Sequence, residues 1–172
     1  MSSDSAAARC FPPSVDRNTR VLLLGSLPGV ESLRQQLYYG NPRNQFWRLV
    51  GDIIGTDLVS LGYSDRLRQL LAHGIGLWDV IAQAVRPGSL DQNIRDAVPN
   101  SLADLVETLP QLRAIGFNGA TAYRLGSAQL MHWMQEERIA LAYISLPSSS
   151  PANTMSYTQK AQAWGALAPY LR

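Results

Sequence analysis

The sequence predicts an α/β protein, a three-layer α/β/α sandwich built on a four-stranded parallel sheet. Short apolar runs, VLLLG from Val21, IGLWDVI from Ile75, LRAIGFN from Leu112 and IALAYISLP from Ile139, alternate with segments of helical period. That order covers both faces of a parallel sheet with helices. The runs are mainly continuous apolar stretches, as strands buried on both faces read. The 172 residues suit one domain of about 150 residues. A hydrophobic share of 46% with 16% charged residues excludes disorder of the whole chain.

Taken in order, residues 1–18 are small, polar and proline-bearing, so a flexible arm is expected ahead of a single domain over 19–172. The first strand stops at Gly25, and the polar turn SLPGVES follows. The helix NQFWRLVGDII comes next, with Phe46, Leu49, Val50 and Ile53 on one face. Ser64 is expected to cap DRLRQLLAH, whose stripe is Leu67, Leu70 and Leu71 and which Gly74 stops. The stretch from Ala84 to Asn100, with prolines, a glycine and scattered polar residues, reads as a long surface connection. Ser101 opens the helix SLADLVETL, GATAYRLGSAQLMHWMQ forms a further long helix, and a helix from Tyr157 to Tyr170 closes the sequence.

Composition narrows the function. The single Cys10 rules out an internal disulfide, and His73 and His132 alone give no metal-ligand spacing, so no metal is expected. The longest charge-free stretch, Ile139 to Gln159, turns polar after Ile144, and the start lacks a signal-peptide core, so no membrane partner and a cytoplasmic location are expected. A monomer is expected. The formal net charge is +2 and Lys160 is the sole lysine among 15 cations. This arginine bias is either compositional or a set of forks for phosphate.

In open parallel sheets ligands sit beyond the carboxyl ends of the strands, which directs attention to GSLPGVES after the first strand and LPSSSPAN after the fourth. Between them, Gln36 to Trp47 places Tyr38, Tyr39, Phe46 and Trp47 beside Asn41, Pro42 and Asn44. Core packing accounts for Phe46 and Trp47. Paired tyrosines ahead of a Gly-Asn-Pro turn read instead as a stacking platform. GSLPG, YYGNPRNQFW and LPSSSPAN, in that order and after those strands, resemble the uracil-DNA glycosylase superfamily, and most closely its hypoxanthine-DNA (deoxyinosine) glycosylases. The resemblance spans residues 20 to 172, including LWDVI and the turn from Gly116 to Gly119.

The resemblance implies an enzyme without a cofactor, and it implies roles residue by residue. Gly25, Ser26, Leu27, Pro28, Gly29 and Tyr39 are expected to bind the base, Tyr39 by stacking on it once it has left the duplex. Asn118, read from its place in the GFNG turn, either lines the base pocket or holds the turn. The alternative for Tyr39 is a lid of the core. Arg43, Ser148, Ser149, Ser150, Pro151, Ala152 and Asn153 are expected to meet the DNA backbone. Ala152 falls at the wedge position and is small, so Asn153 or the loop from Pro87 to Asn93 is the other source of a wedge. Other branches carry Asp or Asn where Leu27 stands, and a histidine where Leu146 stands. Without those groups, the deoxyinosine branch points to Asn44 as the residue that orients the attacking water. Asn44 also fits a helix cap for QFWRLV, and both roles can coexist. Gly29, a tyrosine in the strict uracil branch, either leaves room for a purine or serves a turn of positive φ.

An amide is not basic near neutral pH. The expected mechanism therefore uses no strong base and relies on the departing base anion, cradled by backbone N–H groups worth roughly 3 to 4 kcal/mol each. Asp79 is expected only to cap or pair at the end of the second strand. The expected partner is DNA containing deaminated bases, with deoxyinosine the foremost substrate and uracil a further one. The alternatives are a uracil or mismatch glycosylase, a catalytically silent DNA-binding module, and an enzyme acting on small phosphorylated metabolites.

Overall fold

The computed structural model describes residues 7–137 and 139–172. In chain order its strands are β1 (Ala8–Arg9), β2 (Val21–Gly25), β3 (Ile75–Asp79), β4 (Ile81–Val85), β5 (Arg95–Pro99), β6 (Ala114–Asn118) and β7 (Ala142–Leu146). The helices are α1 (Val30–Gln35), α2 (Phe46–Ile54), α3 (Tyr63–Ala72), α4 (Leu102–Glu107), α5 (Ala120–Glu137) and α6 (Tyr157–Trp164). The main sheet runs β3-β2-β6-β7 with every pairing parallel.

Strand periodicity divides the core into two layers. Val21 and Leu23 join Ile75 and Leu77 under Phe46, Leu49 and Val50 of α2, Leu70 of α3 and Trp164 of α6. Leu22 and Leu24 join Ile115 and Phe117 under Leu102 and Val106 of α4 and Ala122 and Leu130 of α5. Burying each of these large apolar side chains is worth about 1.5 to 3 kcal/mol, so the central strand β2 is held from both sides. This is the expected three-layer α/β/α sandwich with its four parallel strands.

The expected flexible arm is corrected from Ala8 onward; its first six residues lie outside the described ones. β1 pairs antiparallel with β4, Ala8 opposite Ala84 and Arg9 opposite Gln83, and Phe11 is buried in the main core. Tyr38 Oη donates to Pro12 O at 2.8 Å and Trp78 Nε1 to Phe11 O at 3.1 Å. These aromatic donors need acceptors once buried, and the N-terminal segment supplies them. The expected surface connection over Ala84 to Asn100 also differs, because it contains most of a hairpin. β4 and β5 pair antiparallel to complete a second sheet, β1-β4-β5. β5 is exposed along its whole length, so its sequence carries no apolar alternation to announce a strand.

Smaller differences lie at helix ends. α3 begins at Tyr63 with Gly62 as its cap rather than Ser64. The C-terminal helix gives way at Gly165 to a 3₁₀ turn that contains Pro169, a residue that cannot continue an α-helical ladder.

Candidate active site

A cavity of about 420 Å³ opens beyond the carboxyl ends of the parallel strands. Gly25, Ser26, Leu27, Pro28, Gly29, Tyr39, Asn44, Asn118 and every residue from Ser148 to Asn153 line it. Arg43 does not; it is exposed beside the platform. Among the described residues, no group of three or more His, Cys, Asp or Glu side chains is placed to hold a metal ion. No described helix is long and apolar enough to cross a membrane.

The loop after β2 is anchored from behind. Arg86 donates through Nη1 to Leu27 O at 3.4 Å and through Nη2 to Pro28 O, and it lies 3.4 Å from Asp91 Oδ1. Ser26 Oγ donates to Asp91 Oδ1 at 2.7 Å, and Val30 N donates to Ser89 Oγ at 2.9 Å. The Leu27 side chain turns into the small sheet with Ala8, Ile81 and Ala84. Gly29 has φ −71° and caps α1, so no left-handed turn requires glycine there. A side chain at that position would begin 3.4 Å from Ser89 Oγ, and its absence leaves room.

Tyr39 adopts φ +52° in the break between α1 and α2. Its ring stacks on Phe46 at 3.8 Å and 11°, so one face is covered while the residue lines the cavity. Tyr38 packs into the core, edge-on to Phe11 at 5.2 Å, and borders the cavity. Asn44 Oδ1 accepts the Phe46 amide at 3.0 Å, and Asn44 also lines the cavity. The N-cap of α2 is Gln45, which corrects the expected Asn44 cap; the Asn44 carboxamide instead braces the first helical amide while it lines the cavity.

Asn118 ties the walls together. Its Nδ2 donates to Ser149 Oγ at 2.8 Å and to Tyr39 Oη at 3.3 Å, and its Oδ1 accepts Ser149 N at 2.9 Å. Ser149 is consequently buried, with its hydroxyl turned to Asn118; this corrects the expectation that it faces DNA. Ser148 and Ser150 are half-buried and Ala152 is exposed.

Three groups went unrecognised in the sequence. Lys160, only 1% exposed, donates to Gln45 Oε1 at 3.0 Å, Ser150 O at 3.3 Å and Asn153 O at 3.0 Å. Burial lowers its pKa. Arg86 holds the first loop. Asp79 lines the cavity and is 4% exposed. The parallel register sets it opposite Gly25, where a side chain would begin 2.7 Å from Asp79 Oδ1 and 3.2 Å from Tyr39 Oη. Burial pushes its carboxyl up to about 7, with Arg86 opposing and Asp91 reinforcing the rise. Burial, and then the charge of Asp79, also raises the Tyr39 phenol. The expectation that Asp79 only caps or pairs at the strand end is thus corrected. Applying the strand-end rule to IGLWD would have found Asp79.

The family model of the uracil DNA glycosylase superfamily matches residues 12–168. The chain belongs to the uracil DNA glycosylase superfamily. A hypoxanthine DNA glycosylase of Methanosarcina acetivorans is 43% identical over 159 residues, covering 92% of this chain and 96% of the relative. That of Methanosarcina barkeri is 42% identical over 154 residues, covering 90% and 93%. The solution NMR structure of a uracil DNA glycosylase candidate from M. acetivorans superposes with a TM-score of 0.82 at 40% identity, across 96% of this chain and 99% of that one. Within the superfamily, this chain carries Leu27 in its first motif, and the Leu146 side chain lies in the main core.

Proposed function

We propose that this protein is a monofunctional DNA glycosylase that hydrolyses the N-glycosidic bond of deoxyinosine in DNA, releases hypoxanthine and leaves an abasic site. The carrying observation is the convergence of the platform, the Asn44 carboxamide and both strand-end loops on one cavity, in a chain whose relatives are named for hypoxanthine. Tyr39 stacks on the extruded base with the face opposite Phe46. Asn44 keeps Nδ2 and a lone pair on Oδ1 for a water, which it aims at C1′ without removing a proton. As the bond breaks, its electron pair stays with the base, the water oxygen bonds to the sugar, and the released proton ends on hypoxanthine.

Arg43 and the Ser148 and Ser150 hydroxyls meet phosphates, with Pro151, Ala152 and Asn153 against the gap left by the base. The enzyme works as a monomer in the cytoplasm without metal or cofactor, and it accepts uracil as a further substrate. Duplexes carrying inosine, uracil or a G·T mismatch, treated with enzyme and then cleaved at abasic sites by alkali, test the reading. Cleavage is expected foremost at inosine. Cleavage at uracil alone would reassign the substrate, and salt-sensitive binding without base release would make the protein a silent DNA-binding module.

A further inference from the structure

The mechanism above leaves the Asp79 carboxyl without a task. It stands at the floor of the cavity, where its Oδ2 is buried and has no hydrogen-bond partner. The groups facing it are Arg86 and Asp91 from the connection after β4, Tyr38 and Tyr39 from the segment ahead of α2, and Cys10 after β1. Arg86 is the one cation among them, and its N–H groups are engaged by Leu27 O, Pro28 O, Gly88 O and Asp91. A buried carboxyl with an unpaired oxygen is costly to keep. The bare Gly25 leaves its approach open, since any side chain there would collide with Oδ1.

We propose that Asp79 contacts the extruded base directly, its carboxyl pairing with the lactam edge of hypoxanthine at the cavity floor. This inference rests on the glycosylase reading and deepens it. A carboxylic acid sets an O–H donor beside a C=O acceptor, and the lactam sets the O6 acceptor beside the N1–H donor, so the two edges are complementary. A base lying on the exposed face of Tyr39 extends toward the phenol oxygen, and Asp79 stands at that end. The bond to O6 strengthens as the base takes up the electron pair of the broken C1′–N9 bond. The carboxyl keeps its proton through the cycle, and the proton gained by hypoxanthine comes from water. The protonated form prevails on the acid side of neutrality, given the burial of the group.

Asparagine reproduces the donor and the acceptor without titrating, whereas leucine keeps the volume and offers neither. Single-turnover release from inosine duplexes between about pH 5.5 and about pH 9 separates them. The wild-type rate is expected to fall as Asp79 ionises. Asp79→Asn is expected to lose that fall and retain base release, and Asp79→Leu to lose about tenfold or more at acid pH while holding abasic DNA as the wild type does. A wild-type pH profile that persists in Asp79→Asn, or full activity in Asp79→Leu, would overturn the proposal. A wild type that releases no base refutes the glycosylase reading separately. Calorimetry with free hypoxanthine then still decides Asp79: weaker binding by Asp79→Leu upholds the contact, and equal or absent binding by both proteins overturns it.

Discussion

Because Asn44 Oδ1 already accepts the Phe46 amide, Asn44→Ala removes that brace together with the proposed water contact, and Asn44→Asp is the sharper variant. Aspartate is an equally good acceptor at a helix start, so Asn44→Asp should melt within about 1 kcal/mol of the wild type. It loses the Nδ2 donor and brings a charge to the cavity. Asn44→Ala should lower single-turnover release by about 10² or more with DNA affinity largely intact. Release that falls only in step with stability would leave Asn44 a brace of the helix start and nothing more. Tyr39→Ala should weaken capture of the flipped base by about 1 to 3 kcal/mol, read from the affinity for an inosine duplex relative to an undamaged one. Asp79 adds a stability signature of its own. Its folded-state pKa lies above the unfolded one, so the folded protein holds the extra proton, and stability falls as pH rises from about 4 through about 7. Asp79→Asn should therefore melt above the wild type at pH 8, by about 2 to 4 °C per kcal/mol relieved, and the gap should close near pH 4.

At the level of elements, what the sequence disclosed follows what it can encode. The four apolar strands, the amphipathic face of α2 and the Gly74 stop are local patterns and were legible, as were both strand-end loops. The β4–β5 hairpin was not, because β5 is exposed and Asp96 takes φ +51°, which leaves no period to read. Asp79 and Lys160 were missed because their importance comes from register and packing across the fold. α6 begins with a capping box between Ser156 and Gln159, which sets Lys160 on the turn below the second loop. There its three ammonium N–H groups meet Gln45, Ser150 and Asn153. Lys160→Met keeps the stem and leaves those acceptors unpaired, at a cost of about 2 to 3 kcal/mol. Urea unfolding should show that loss, and affinity for abasic DNA should fall with it. Unchanged stability would mean that water replaces the ammonium without penalty.

Over the whole molecule, six of the fourteen arginines are tied to acceptors of the protein itself. Arg20 donates to His73 O, Arg66 to Leu58 O and Val59 O, and Arg113 to Arg172 O. Arg86 holds the first loop, while Arg34 and Arg68 pair with Glu31 and Asp65. Planar forks suit such carbonyl clamps as well as they suit phosphate. Arg9, Arg17, Arg43, Arg95 and Arg124 stay exposed and able to meet phosphate, while a formal net charge of +2 keeps the long-range attraction weak. Exposed Arg43, next to the platform, is the phosphate contact proposed above. Each phosphate neutralised contributes about 0.9 to the slope of log K against log salt concentration. Arg43→Ala should thus make that slope shallower by about 0.9 and weaken inosine-containing and undamaged duplexes by the same factor, because a phosphate contact reads no base. Arg68→Ala, whose guanidinium is paired with Asp65 and lies outside the cavity lining, should leave the slope unchanged. If Arg43→Ala instead weakens only the inosine duplex at an unaltered slope, Arg43 reads the lesion rather than the backbone, and the anchoring falls to the Ser148 and Ser150 loop.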